Sequence, residues 1–286
     1  MTARSAVAMS SRAACVTCLL AAACGAPTPA KDATRTTAGG AASITEPAHF
    51  AWKAPLTVHV TEDATKNGNA ATVSYWLDVC PKAPDLLVVT HRDFRFVTLL
   101  GKPASNPEFS ATLAEITPLT SAIPRFVVDA QGKVIAVEGV PELIARLRAA
   151  FPGAAVDQVA QRLEDPAAAQ AINASANERW QVWVQAWLAT DPRTIAPQDI
   201  INPHRVKLTQ ASQAQNISDP SGSGAKLDLA VELTTDTEWP SVRPWVATSS
   251  KKAKLTLNGE SATRSETHRY TFDWNGPPDA APKCAQ

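Results

Sequence analysis

Ile172, Ala176, Trp180, Trp183 and Trp187 recur at steps of four, four, three and four. That spacing predicts a helix over 165–188 with one apolar face. Asp165 caps its free first-turn N–H groups, and Pro166 suits the first helical position, where the N–H it lacks has no intrahelical partner. Three tryptophans on one face need a large partner surface, because each indole hides on the order of 150–250 Å². The stretches on both sides are rich in short β-like runs. The helix is therefore expected to wedge two β-rich halves together, and its side chains are read as core packing with no chemistry of their own.

In the first half, 48–139, Leu56, Val58 and Val60 alternate with Thr57, His59 and Thr61, the period of a half-buried strand. Lys66-Asn67-Gly68-Asn69 supplies turn residues tolerant of positive φ, and Val73, Tyr75, Leu77 and Val79 alternate after it, so a hairpin is expected. Leu86–Thr90 and Phe94–Leu100 read as two further strands. Phe126-Val127-Val128, then Asp129-Ala130-Gln131-Gly132, then Lys133 to Val137 read as a second hairpin. That turn lacks the further oxygen ligands a calcium loop needs.

From 140 to 190 the period changes. Val140, Leu143, Ile144, Leu147 and Phe151 share a helical face that Pro152-Gly153 ends, and Val156, Val159, Ala160 and Leu163 make a second short helix before the tryptophan-bearing one. In the second half, 196–286, Arg205 to Leu208 reads as a short strand. Leu227, Leu229, Val231 and Leu233 alternate with polar or small residues, as do Ala253, Leu255 and Leu257, and Tyr270, Phe272 and Trp274. Strands grouped before and after helices describe an α+β class: curved antiparallel β-sheet in two β-rich halves flanking a central helical segment, packed as one unit over 48–286. A parallel nucleotide-binding sheet does not fit that order.

The N-terminus carries an address. Arg4 and Arg12 precede an apolar run from Ala13 to Ala23, too short for the roughly 20 residues that span a bilayer. Leu20-Ala21-Ala22-Ala23-Cys24 resembles a bacterial lipobox, with the leucine displaced by one position. Residues 1–23 are thus expected to be a signal peptide and Cys24 the lipidated residue. Residues 24–47 are mostly Ala, Thr, Pro, Gly and Lys, the composition of a flexible tether. With this signal, tether and β-rich body the chain resembles uncharacterised lipoproteins of Gram-negative bacteria. The resemblance implies a lipid anchor in the cell envelope, with Gly25 favouring the outer membrane on its periplasmic or cell-surface side, and it implies no activity.

Without the signal and Cys24, two of the five cysteines remain, Cys80 and Cys284. In an oxidising envelope they are expected to pair, fastening the C-terminal tail to the first half. The full chain has 27 basic and 27 acidic residues, so losing Arg4 and Arg12 leaves a small acidic excess. There is no basic stripe for nucleic acid. Lys251-Lys252-Ala253-Lys254, the densest basic cluster, reads as a solvated strand edge.

Catalytic motifs do not emerge. His91-Arg92-Asp93 matches the kinase catalytic tripeptide, but Thr98 stands where that pattern needs Asn and no phosphate loop accompanies it. Gly222-Ser223-Gly224 lacks a strand-to-helix elbow. The five histidines, His49, His59, His91, His204 and His268, have no zinc spacing, so neither a metal nor a cofactor is expected. Trp239-Pro240 and Pro244-Trp245 occupy a loop that reads as a lid on the sheet or, through Trp239 and Trp245, as the lip of a binding site. The expectation is a non-catalytic envelope lipoprotein binding a hydrophobic ligand or a protein partner. An envelope hydrolase acting on cell-wall or polysaccharide material and a structural spacer are the alternatives.

Overall fold

The computed structural model describes residues 44–121, 123–150, 157, 177–188, 193–218, 226–257, 259–275 and 281–284. In chain order the elements are β1 (Ile44–Glu46), β2 (Leu56–Lys66), β3 (Asn69–Ala83), β4 (Leu86–Leu99), β5 (Lys102–Pro103), α1 (Ser110–Thr120), β6 (Arg125–Asp129), β7 (Val134–Glu138) and α2 (Val140–Ala150). A helical segment over 177–183 follows. Then come β8 (Arg193–Ile195), β9 (Ile200–Asn202), β10 (Arg205–Ser218), β11 (Lys226–Glu238), β12 (Arg243–Leu257) and β13 (Glu260–Asp273).

Eleven of these strands make one antiparallel sheet in the order β7-β6-β4-β3-β2-β13-β12-β11-β10-β9, with β5 beside β4. The strands before and after the helical segment therefore belong to one sheet. They join at β2 and β13, where Val60 faces Phe272 and Glu62 faces Tyr270. Asn67 and Gly68, both at positive φ, close the β2–β3 hairpin as the sequence predicts. The turn is also pinned to β13, because Asn67 exchanges backbone and side-chain hydrogen bonds with Ser265.

One contiguous core takes Val58 and Val60 from β2, Tyr75, Leu77 and Val79 from β3, Val89 from β4, Phe126 from β6, Val206 and Leu208 from β10, Ala247 from β12, and Tyr270 and Phe272 from β13. Laid flat, eleven strands would span about 50 Å, several times the width of a helix. Sharing one core with the 177–183 segment requires the sheet to curl around it. Trp180, Trp183 and Trp187 are fully buried. Trp183 meets Tyr270 and Phe272 edge-on at 5.3 and 5.5 Å, and the indole N–H of Trp180 donates to the Gly132 carbonyl oxygen at 2.7 Å.

Several expectations change. Trp187 lies on a 3-10 turn over Gln185–Trp187, not on the α-helix that holds Trp180 and Trp183. Val182 and Val184 are buried as well, so the segment is apolar on more than one face. The capping residues Asp165 and Pro166, and all of the second short helix except residue 157, lie outside the described residues. Leu86–Thr90 and Phe94–Leu100 are parts of one strand, β4, because Asp93 enters as an irregularity at φ 54 that keeps pairing with β3 continuous. The expected tether through Pro47 is already structured at its end, since Ile44–Glu46 pairs with Arg193–Ile195. Helix α1 gave no sequence signal: its three threonines and Pro118 are weak helix formers.

Candidate functional site

Strand parity assigns the inner face. Successive rows across the sheet run Phe272–Val60–Tyr75, then Ala247–Tyr270–Glu62–Val73, then Leu233–Ser249–His268–Ala64, then Val231–Lys251–Glu266–Lys66. The first row is apolar or aromatic, in keeping with a strand face on a core. From Glu62 onward, charge enters the same face.

Glu62 is buried at 3% exposure. One carboxylate oxygen is 2.9 Å from Nδ1 of His268, while the other is 3.6 Å from Nη2 of Arg179 and accepts a long hydrogen bond from the Tyr75 hydroxyl at 3.5 Å. His268 uses its other ring nitrogen on Glu266, also at 2.9 Å. Lys251 pairs with Glu178. Three carboxylates, Glu62, Glu178 and Glu266, thus meet three cations, Arg179, Lys251 and His268.

The energetics follow from this pairing. Burial alone would push the Glu62 carboxyl up, but Arg179 and His268 together hold it below its ordinary range. Burial opposes the His268 imidazolium, and the hydrogen bonds to Glu266 and Glu62 overcome it, raising the pKa to about 9. The hydrogen bond from His268 lowers Glu266 to about 2, against the effect of burial. Tyr75 and Tyr270 are raised, chiefly by burial and then by the Glu62 charge, and both remain phenols. A general acid working near neutrality needs a carboxyl raised towards that pH. Glu62 and Glu266 are displaced the opposite way, so near neutrality both are carboxylates ion-paired with their cationic partners.

His91 lies beside it on β4, 5.3 Å from the Tyr75 ring and 6.4 Å from Trp183. Burial first, and then the Arg179 charge, lowers its pKa to about 3. Arg92 turns to the outer face and donates to Asp78 at 2.7 Å and to Asp93 at 2.7 Å. Strict alternation would put His91 and Asp93 on one face, but the Asp93 irregularity returns Phe94 to the inner face, stacked 6.0 Å from Tyr75.

Beyond the belt the inner face turns apolar again. Leu227, Leu229, Val231 and Leu233 are half-buried on β11. Opposite Leu227 and Leu229 stand Leu255 and Ala253, and Leu255 faces Ala262. Leu255 and Leu257 are 46% and 42% exposed. With Glu260, Ser261 and Ala262 they line a hollow of about 430 Å³. From Ala253 to Leu257 the apolar end extends about 13 Å along the strand.

Other sequence-singled residues lie elsewhere. Cys80 and Cys284 form a disulfide with a Cα–Cα distance of 5.6 Å. It lies on the outer side, where buried Asp78 accepts hydrogen bonds from Thr57, Arg92 and the Lys283 amide. Trp239, expected to cover an end of the sheet or to form a binding lip, is 5% exposed and belongs to the core. Trp245 is half-buried with the Arg205 guanidinium 5.0 Å over its ring. The two rings therefore do not form an open pair. Cys24 lies outside the described residues. Lys251 is not on a solvated edge: it points inward to Glu178, while Lys252 and Lys254 are exposed. No group of three or more His, Cys, Asp or Glu with metal-holding geometry occurs among the described residues.

The charged belt itself was missed in the sequence because Glu62 and His268 are 206 residues apart. Parity carried the signal: Glu62 follows Val58 and Val60, and Lys251 precedes Ala253, Leu255 and Leu257, all on inward positions.

No protein-family model matches this chain, and no curated protein matches it. Among solved structures four chains match. One is from a structure described as "Lipid-protein interactions in lipovitellin", at 9% identity and a TM-score of 0.38 over 85% of this chain. The match spans 26% of the lipovitellin chain, and at that score it carries no argument about this one.

Proposed function

We propose that this protein is a non-catalytic lipoprotein of the cell envelope, anchored through Cys24, that binds a hydrophobic ligand against the inner face of β11–β13. The observation that carries the reading is the apolar end of that face. Leu227, Leu229 and Val231 line it, and Leu255 and Leu257 stay exposed beside a hollow that the tryptophan core does not reach. Apolar side chains gathered on one surface favour an apolar partner, since each buried methylene contributes roughly 0.8 kcal/mol. The neighbouring ion pairs form a fixed polar boundary, which suits an amphipathic molecule with an acyl chain about as long as the trough.

Native mass spectrometry of the protein purified from the envelope, followed by organic extraction, tests this. An added mass that is lost on denaturation and recovered as a lipid supports the reading. A Leu255→Asp, Leu257→Asp variant, altered only at exposed positions, should lose that mass and at least tenfold in affinity for a fluorescent fatty acid while unfolding at the same temperature. Unchanged binding by the variant would sink the proposal.

A further inference from the structure

Strand β10 is one of the longest in the sheet, but its neighbour β9 covers only its start, pairing at Arg205 and Val206. From Lys207 onward its other edge has no strand beside it among the described residues. Along that edge Thr209, Gln210, Ala211, Gln213, Ala214 and Gln215 are exposed. Natural sheets protect a long edge with charges, proline or shortness. Leu208 to Ser218 contains no Lys, Arg, Asp, Glu, Pro or Gly. The opposite edge, β7, is protected: it is five residues long and ends on Glu138, which is paired with Lys82.

We infer that the free edge of β10 is an interaction surface for a second copy of this chain, the two β10 strands pairing antiparallel about a two-fold axis to continue the sheet from one molecule into the other. Such an isologous contact sets residue i against residue j and j against i, so a charge at the axis would meet its own copy and one sign of charge spread along the strand would meet itself in any register. An uncharged run of Gln, Ser, Thr and Ala escapes that repulsion and supplies side-chain donors and acceptors on both strands. A partner carrying a different sequence would impose no such neutrality on β10. The disparity between the two sheet edges also favours a closed pair, because β10 against β7 would generate open chains.

A two-fold perpendicular to the sheet keeps outer-face residues on the outer face whatever the register. Thr209, Ala211 and Gln213 are on that face, since Val206 and Leu208 point into the core. Their neighbours on β11 are Thr234, Glu232 and Ala230, none of them basic, and the nearest lysine on β10, Lys207, stands opposite Asp236. The purified full-length chain in detergent is followed by sedimentation velocity over roughly 1–100 µM, beside a T209K, A211K, Q213K variant. The expected result is a monomer–dimer equilibrium for the parent and, for the variant, dissociation at least tenfold weaker in affinity with an unchanged unfolding temperature. A parent that stays monomeric throughout, species that grow past the dimer, or a dimer that survives the three lysines would overturn the inference. Fatty-acid binding should be equal in both chains, which separates this surface from the proposed ligand site.

Discussion

Glu62 occupies the fourth inward position of β2, after Leu56, Val58 and Val60, where a lone carboxylate would be untenable, and it is held there by charges brought from β13 and from the 177–183 segment. Removing one member of a buried ion pair leaves the others uncompensated and typically costs 3–5 kcal/mol. Glu62→Gln should therefore destabilise the protein by about 3 kcal/mol in urea unfolding. It should also lower the His268 pKa, readable by NMR titration. The pH dependence has a definite sign. The pKa of His268 is raised from 6.5 to about 9, so its contribution is complete below pH 6.5 and is lost as pH rises through 9. Up to about 3 kcal/mol should disappear over that window. His91, lowered to about 3, acts oppositely: below pH 6.5 the unfolded chain takes up a proton that the native chain resists, so stability falls with acid. Urea midpoints measured from pH 4 to 10 should describe an arch, and His268→Asn should flatten its alkaline limb.

At the scale of elements, the β6–β7 hairpin shows what local sequence can and cannot specify. Its turn was legible because Asp129 and Gly132 have defined tasks: the Asp129 carboxylate accepts from the amides of Gln131 and Lys133, and Gly132 sits at φ 79. What the sequence did not announce is that the Gly132 carbonyl receives the Trp180 indole, or that a β-carbon there would lie 2.7 Å from Leu188 and 2.9 Å from Phe50. Gly132→Ala should consequently cost more than the roughly 1 kcal/mol of a strained turn, with thermal unfolding as the check. Strands with alternating residues were readable, and so was α2 from its helical face. The continuity of β4 was not, because an irregularity at Asp93 breaks the period that parity reading relies on. The charged belt escaped for another reason: its members come from four separated segments, and no local pattern distinguishes an inward lysine from a solvated one until the strand's phase is known.

For the whole molecule, the Cys80–Cys284 link joins residues 204 apart and ties the C-terminal segment across the outer face of β3. Loop-closure entropy sets its contribution at no more than about 5 kcal/mol. A Cys80→Ser, Cys284→Ser variant should unfold at clearly lower denaturant concentration, with the loss exceeding that of either His268→Asn or Gly132→Ala. That the C-terminal segment returns to β3 was legible only as a cysteine count. That the sheet is single depends on the β2–β13 pairing, which no local pattern reveals. This pairing also governs the order of assembly. A chain made from its N-terminus presents β2 with one side unmatched until β13 emerges some two hundred residues later, so the middle of the sheet is the last seam to close. During that interval the nascent chain depends on whatever escorts it, and a chain cut short before β13 has no route to the native state.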